Sequence, residues 1–379
     1  MQKFPLFFLP PLLGLLSPTA VSMASESLVF VSAFAPGENG GIHCLSFNDK
    51  TGHLAPLQRT VQVPNPFFLA LSPDGRFLYS TYSEKFGGKE EESVAAYSVE
   101  GRTGRLSFLN RASSKGRATC YVTTDATGKT VLTANYSSGS VASLAVGPKG
   151  DLSEPVSFFE HLPSKESETP AKSAKAHSII TSPDNRFVLA ADLGLDKIFV
   201  YRLDTATATL TPNAAQPFVL MAPGSEPRHL TFHPNGQRLY AINEAKSSVT
   251  FFDYQPQTGR LTERQTISTL PEGYTGKSAC ADLKITPDGS FLFGTNRGHD
   301  SIAAYRISED GGLTLLSIEP SLGKGPQNLL ITPDGGWLLC ANMKGNSVSV
   351  FRIEAASGAL KPAGEPISMP SPSCLRLLP

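Results

Sequence analysis

One phrase in this sequence returns six times. An apolar run, a Pro-Asp-Gly-like turn and a second apolar run occur as FFLALSPDGRFLYSTY from Phe67, YVTTDATGKTVLTANY from Tyr121 and SIITSPDNRFVLAADL from Ser178. The phrase comes back as HLTFHPNGQRLYAINE from His229, DLKITPDGSFLFGTNR from Asp282 and NLLITPDGGWLLCANM from Asn328. The equivalent turn residues Gly75, Gly128, Asn185, Gly236, Gly289 and Gly335 are 53, 57, 51, 53 and 46 residues apart. A period near 50 residues is that of a repeat architecture in which each unit buries its faces against its neighbours. After each phrase comes a third alternating strand, as in SVAAYSV from Ser93, KIFVYRL from Lys197, SVTFFDY from Ser248, SIAAYRI from Ser301 and SVSVFRI from Ser347. A Thr-Gly-like turn and a fourth short strand complete the unit. Four antiparallel strands per repeat make one propeller blade.

Six phrases leave two fragments that complement each other. The C-terminal PSPSCLRLLP resembles the opening strand of a blade, and LVFVSAF, GIHCLSF and HLAPL near the N-terminus read as second, third and fourth strands. The expected fold is therefore all-β, a seven-bladed β-propeller whose ring is closed by one C-terminal and three N-terminal strands, with strand 373–378 paired to strand 28–33. Closure of this kind removes free sheet edges and ties down both termini. A β-sandwich would not return one phrase six times at a near-constant period.

The first 24 residues, MQKFPLFFLPPLLGLLSPTAVSMA, combine Lys3, an apolar run from Phe4 to Leu16 and small residues at Ser22 and Ala24. That is the layout of a signal peptide cut after Ala24. The run is too short to span roughly 20 residues of bilayer core and is broken by Pro5, Pro10 and Pro11. The expectation is a mature propeller of residues 25–379, secreted or in the periplasm or envelope, with no membrane association. Lys+Arg and Asp+Glu balance at 33 each, so nothing electrostatic favours nucleic acid as a partner. The five cysteines, Cys44, Cys120, Cys280, Cys340 and Cys374, contain no C-x-x-C pair, which argues against zinc and for buried free thiols. No metal and no cofactor are expected, the partner is a small molecule, and the expected state is a monomer.

Within a blade the start of the first strand lies beside the end of the second, at the channel mouth opposite the Pro-Asp-Gly turn. The seven first-strand mouth positions carry Phe67, Cys120, His177, Arg228, Ala281, Gln327 and Ser373, and the next positions Phe68, Tyr121, Ser178, His229, Asp282, Asn328 and Cys374. The second strand ends in Asn135, Asp192, Asn243, Asn296 or Asn342, with Thr81 as the exception, and a recurring Asn or Asp there suits backbone bonding at a tight turn. The residues that follow are Tyr82, Tyr136, Leu193, Glu244, Arg297 and Met343. His177, Arg228, Glu244 and Arg297 thus converge on one mouth and form the candidate catalytic set. His229, Asp282, His299, Asn243 and Asn296 are the candidate substrate-binding set. Arginine pairs bidentately with a carboxylate or phosphate, and Glu or His can move a proton. The competing reading is that Arg228 and Glu244, which share a blade, are only a structural ion pair. The polar segment from Pro163 to Lys175 reads as a solvated loop before His177.

The phrases AHSIITSPDNRFVLAADLGLDKIFVYRLD, EPRHLTFHPNGQRLYAINE, DLKITPDGSFLFGTNRGHDSIAAYRI and GPQNLLITPDGGWLLCAN resemble the lactonase family of seven-bladed propellers. That family includes propeller-type 6-phosphogluconolactonases and carboxy-muconate lactonising enzymes. The resemblance covers nearly the whole mature chain and implies a cofactor-independent site at the channel mouth, with His, Arg, Glu and Arg falling on His177, Arg228, Glu244 and Arg297. The sequence departs from the family pattern at Lys175-Ala176-His177 for His-x-His, at Cys120-Tyr121 for Cys-His, at Asp282 for Glu and at Pro326-Gln327 for Pro-Arg. What the resemblance implies is opening or closing of a lactone ring on a small carboxylated or sugar-derived substrate. The alternative is a non-catalytic propeller that kept the fold and binds an anionic ligand or a protein.

Overall fold

Each hairpin that opens a blade turns on one residue in the left-handed region. Gly75 (φ 69°), Gly128 (69°), Asn185 (58°), Gly236 (70°), Gly289 (77°) and Gly335 (70°) all adopt it. A side chain there costs roughly 1–2 kcal/mol, which is why only Gly and Asn occupy the position. In four of the six a Ser or Thr three residues earlier closes the same turn from its side chain, as where the Phe77 amide donates to Ser72 Oγ (2.9 Å) and the Trp337 amide to Thr332 Oγ1 (3.0 Å).

In the computed structural model, residues 1, 2, 26–163 and 173–379 are described. The leader expected over residues 1–24, apart from Met1 and Gln2, and most of the polar segment 163–175 lie outside them. The described strands form seven antiparallel sheets, one per blade. From blade 1 to blade 7 the innermost strands are Leu69–Leu71, Thr119–Thr124, Ala176–Thr181, Pro227–Phe232, Ala279–Ile285, Pro326–Ile331 and Pro372–Leu377. Each contacts the innermost strands of the adjoining blades, so that together they wall a central channel.

Blade 7 joins the termini. Pro372–Leu377 pairs with Glu26–Ala33 in the register Val29 with Leu377, Val31 with Leu375 and Ala33 with Pro372, and Gly41–Asn48 and Leu54–Thr60 continue the sheet outward. Ser32 and Ser373 hydroxyls lie 2.9 Å apart across this seam, and the single Trp337 indole of blade 6 donates to the Asp49 carbonyl of blade 7 (2.9 Å). The outer strands are less regular than four plain strands per blade. Blades 3 and 6 split theirs into Thr209–Pro212 with Phe218–Leu220 and Leu360–Pro362 with Ile367–Ser368. Pro212, Pro217, Pro362 and Pro366 lie at or between the pieces, where a residue without an N–H interrupts the ladder. Apolar layers between blades form the core, and all five cysteines are buried free thiols within it.

Candidate functional site

Adjoining blades bring Arg228, Glu244 and Arg297 into contact; Glu244 and Arg297 line an open cavity, while Arg228 and His177 are buried and outside its lining. Arg228 leaves the start of the blade 4 inner strand and is 1 % exposed; Glu244 follows Asn243 at the end of the neighbouring strand, where its amide donates to the Glu226 carbonyl (2.8 Å). Glu244 Oε2 lies 2.8 Å from Arg228 Nε and 2.8 Å from Arg297 Nη2, the latter from blade 5. The Arg228 contact is an ion pair without an aligned hydrogen bond. Two guanidiniums against one carboxylate leave an excess of positive charge at the mouth. Burial, then the like charge of Arg297, pulls Arg228 down to about 10, still protonated at neutral pH. Arg297 is itself fixed by the Ala279 and Cys280 carbonyls (3.2 and 2.9 Å) and by Gln327 Oε1 (3.4 Å).

His177 is buried, edge-on to Tyr136 (5.5 Å between ring centres) and to His229 (5.4 Å). Desolvation, with Arg228 and His229 nearby, holds it well below the usual imidazole range, so it is neutral at pH 7. Cys120 Sγ lies 3.8 Å from His177 Nδ1, but burial pushes this thiol up to about 12, which removes it as a nucleophile at neutral pH.

Not every candidate reaches the mouth. Asn243 and Asn296 are fully buried, and each ties its strand to the next: Asn243 Nδ2 donates to Ser248 Oγ (3.0 Å) and Thr250 Oγ1 (2.9 Å), Asn296 Nδ2 to the Thr269 carbonyl (2.8 Å) and Ser301 Oγ (3.1 Å). Their side chains are therefore committed to the blade rather than offered to a ligand. His229 and Asp282 sit one layer below the mouth, 2 % and 1 % exposed, in a plug that crosses the channel. His229 of blade 4 meets Phe68 of blade 1 at 5.7 Å and Tyr121 of blade 2 at 5.2 Å, and Phe68 stacks on Tyr121 at 4.1 Å. His299 is on the rim, its Nδ1 2.7 Å from Ser301 Oγ and its ring edge-on to Tyr274.

Two features of the mouth are not visible in the blade comparison. Glu244 and Arg297 share a cavity of about 320 Å³ with Lys277, Lys344, Ser278, Gln327 and Met343, so the positive character extends toward blade 6. Lys277 belongs to the connection 269–278 between blades 4 and 5, outside the strands that the repeat compares. On the opposite side the mouth is aromatic: Phe34, Phe67 and Phe86 pack with ring centres 5.0 to 5.5 Å apart. Phe86 did have a signal. It sits in a ten-residue connection, 83–92, where the corresponding connections in blades 2 to 6 have three or four residues.

The family model described as lactonase, 7-bladed β-propeller matches residues 28–377. A 6-phosphogluconolactonase of Bacillus subtilis is 31% identical over 353 residues, covering 92% of this chain and 97% of that protein. A 6-phosphogluconolactonase of Formosa agariphila is 31% identical over 308 residues, covering 79% of this chain and 85% of that protein. The solved structure of the Pseudomonas aeruginosa periplasmic gluconolactonase superposes with a TM-score of 0.86 at 30% identity, covering 94% of this chain and 99% of that one.

Proposed function

The chain belongs to the lactonase family of seven-bladed β-propellers, and we propose that it hydrolyses the ester bond of a sugar-derived or carboxylated lactone at the mouth between blades 3 and 6. The observation that carries this reading is Glu244, whose Oε2 is held between Arg228 and Arg297 while the residue faces the cavity. With one oxygen fixed, the other is the acceptor for a proton from water. The water oxygen adds to the lactone carbonyl, Arg297 and Arg228 stabilise the oxyanion, and the ring C–O bond then breaks. The departing alkoxide takes the proton back from Glu244, giving a hydroxy acid and restoring the carboxylate. Hydrolysis is preferred over lactonisation because the relatives named above are lactonases.

The surplus charge of the two arginines, extended by Lys277 and Lys344, favours a substrate with an anionic substituent, whether carboxylate or phosphate. We also propose that the protein is exported, on the pattern of residues 1–24; in that setting an unphosphorylated sugar lactone is the more available substrate, as the name of the Pseudomonas relative suggests for that protein. Acid release from glucono-δ-lactone and its 6-phosphate, followed in a pH-stat for wild type and Glu244→Gln, tests the activity. Turnover of neither lactone by the wild type would remove the reading. Sequencing the N-terminus of protein from the native host tests export: the expected start is at or near Ser25, and an intact Met1 on soluble protein overturns it.

A further inference from the structure

Below the mouth a line of polar contacts runs through the plug to Arg228. Asp282 is at its base. Its Oδ2 accepts from Asn328 Nδ2 (2.6 Å) and the Leu329 amide (2.9 Å), and Lys284 Nζ lies 2.9 and 2.8 Å from its two oxygens. Asn328 is locked in turn, its Oδ1 accepting from the Leu375 amide (2.8 Å). Burial alone would raise Asp282, but Lys284, His229 and the Leu329 amide more than offset it and keep the carboxyl ionised. An ionised carboxylate only accepts, so His229 Nδ1, 2.8 Å from Asp282 Oδ1, carries the hydrogen. Burial, with the charge of Arg228, lowers His229 to about 3, so the ring is neutral and its Nε2 is a lone pair. Arg228 Nη1 donates to that nitrogen (3.2 Å) and to the Ala281 carbonyl. With Nε against Glu244, the guanidinium keeps one edge, Nη2, without a protein acceptor among the described residues.

We infer that Asp282 and His229 are positioning residues: Asp282 fixes the Nδ1–H tautomer of His229, whose bare Nε2 orients Arg228 so that Nε meets Glu244 and Nη2 is presented to the substrate. The inference rests on the lactonase reading for its kinetic consequences, but not for the tautomer. In Asp282→Asn the oxygen side stays with the Asn328 and Leu329 donors, so the new amide N–H faces His229 Nδ1. The ring then moves its hydrogen to Nε2, where it confronts the Arg228 donor. A displaced guanidinium of this kind lowers kcat/KM by about 10- to 100-fold.

The test uses the folded full-length protein with glucono-δ-lactone as substrate and gluconate as ligand, alongside ¹⁵N-histidine NMR of His229. Expected for Asp282→Asn are a switch from Nδ1–H to Nε2–H, the loss in kcat/KM and weaker gluconate binding. In an Arg228→Lys background the same substitution should change kcat/KM by less than about 2-fold, because the group it positions is gone. His229→Gln, which offers a donor to Asp282 and an acceptor to Arg228, should retain more activity than His229→Leu; this pair decides the matter if Asp282→Asn does not fold. An unchanged tautomer, equal losses in the Gln and Leu variants, or a loss additive with Arg228→Lys overturns the inference. Wild-type protein that neither hydrolyses the lactone nor binds gluconate removes the lactonase reading instead, and the NMR result still decides this one.

Discussion

Among the described residues Arg228 is the largest side chain that is fully buried. A guanidinium removed from water is costly unless paired, and Glu244, 26% exposed, is the carboxylate that faces it. Glu244→Gln keeps the shape but removes both the proton acceptor and the counter-charge. Turnover should fall by about 10²-fold or more without loss of gluconate affinity. Stability should fall by about 1 kcal/mol or more, read as a lower Tm, because the pair is partly screened. A purely structural pair would show the second effect without the first. Arg297→Lys keeps charge but loses the planar fork, so it should raise KM for a carboxylated lactone more than for a neutral one. The neutral histidines set a pH dependence. His229 has a folded pKa of about 3 against an ordinary 6.5, and His177 is also lowered. Below pH 6.5 the unfolded chain takes up protons that these rings refuse, so their contribution is full above 6.5 and is lost as pH falls toward 3. Thermal melts from pH 7 to 4.5 should show a falling Tm, and the fall should be shallower in His229→Gln.

At the scale of the element, the hairpin phrase was legible because turn chemistry and strand periodicity are local. Gly335 has φ 70°, and a Cβ there would meet only Pro287 at 3.4 Å. Gly335→Ala should therefore cost about 1 kcal/mol from backbone strain alone, with Gly335→Asn costing less; equal Tm values for all three proteins would contradict this. Outer strands were less legible. Each sees solvent on its edge, so prolines that would break an inner strand merely divide those of blades 3 and 6. The blade 1 connection 83–92 was readable as an insertion, but its course was not. Glu92 holds it by accepting from the Gly87 amide (2.8 Å) and, across to blade 2, from the Thr119 amide (2.7 Å), and these bonds bring Phe86 onto Phe34 and Phe67.

For the whole molecule the decisive feature is closure. Pro372–Leu377 is the inner strand of a blade whose other three strands lie at the opposite end of the sequence. Deleting residues 370–379 should expose the edge of Glu26–Ala33, opening the ring to aggregation or proteolysis; soluble protein with an undiminished cooperative melt would show that closure is dispensable. The sequence alone determined the blade number, the shared blade and the cluster in which Arg228, Glu244 and Arg297 meet, because a repeat of near-constant period makes neighbours in space out of equivalent positions. It could not separate the mouth from the layer beneath it. His229 and Asp282 follow mouth positions by a single residue, yet their side chains meet each other and aromatic rings from blades 1 and 2 in the channel interior. Asn243 and Asn296 precede mouth residues by one and point into their own blades. Alternation along a strand says that adjacent side chains face differently, but what each meets is set by strands tens to hundreds of residues away. That contact, with the burial and tautomer that follow from it, belongs to the tertiary structure.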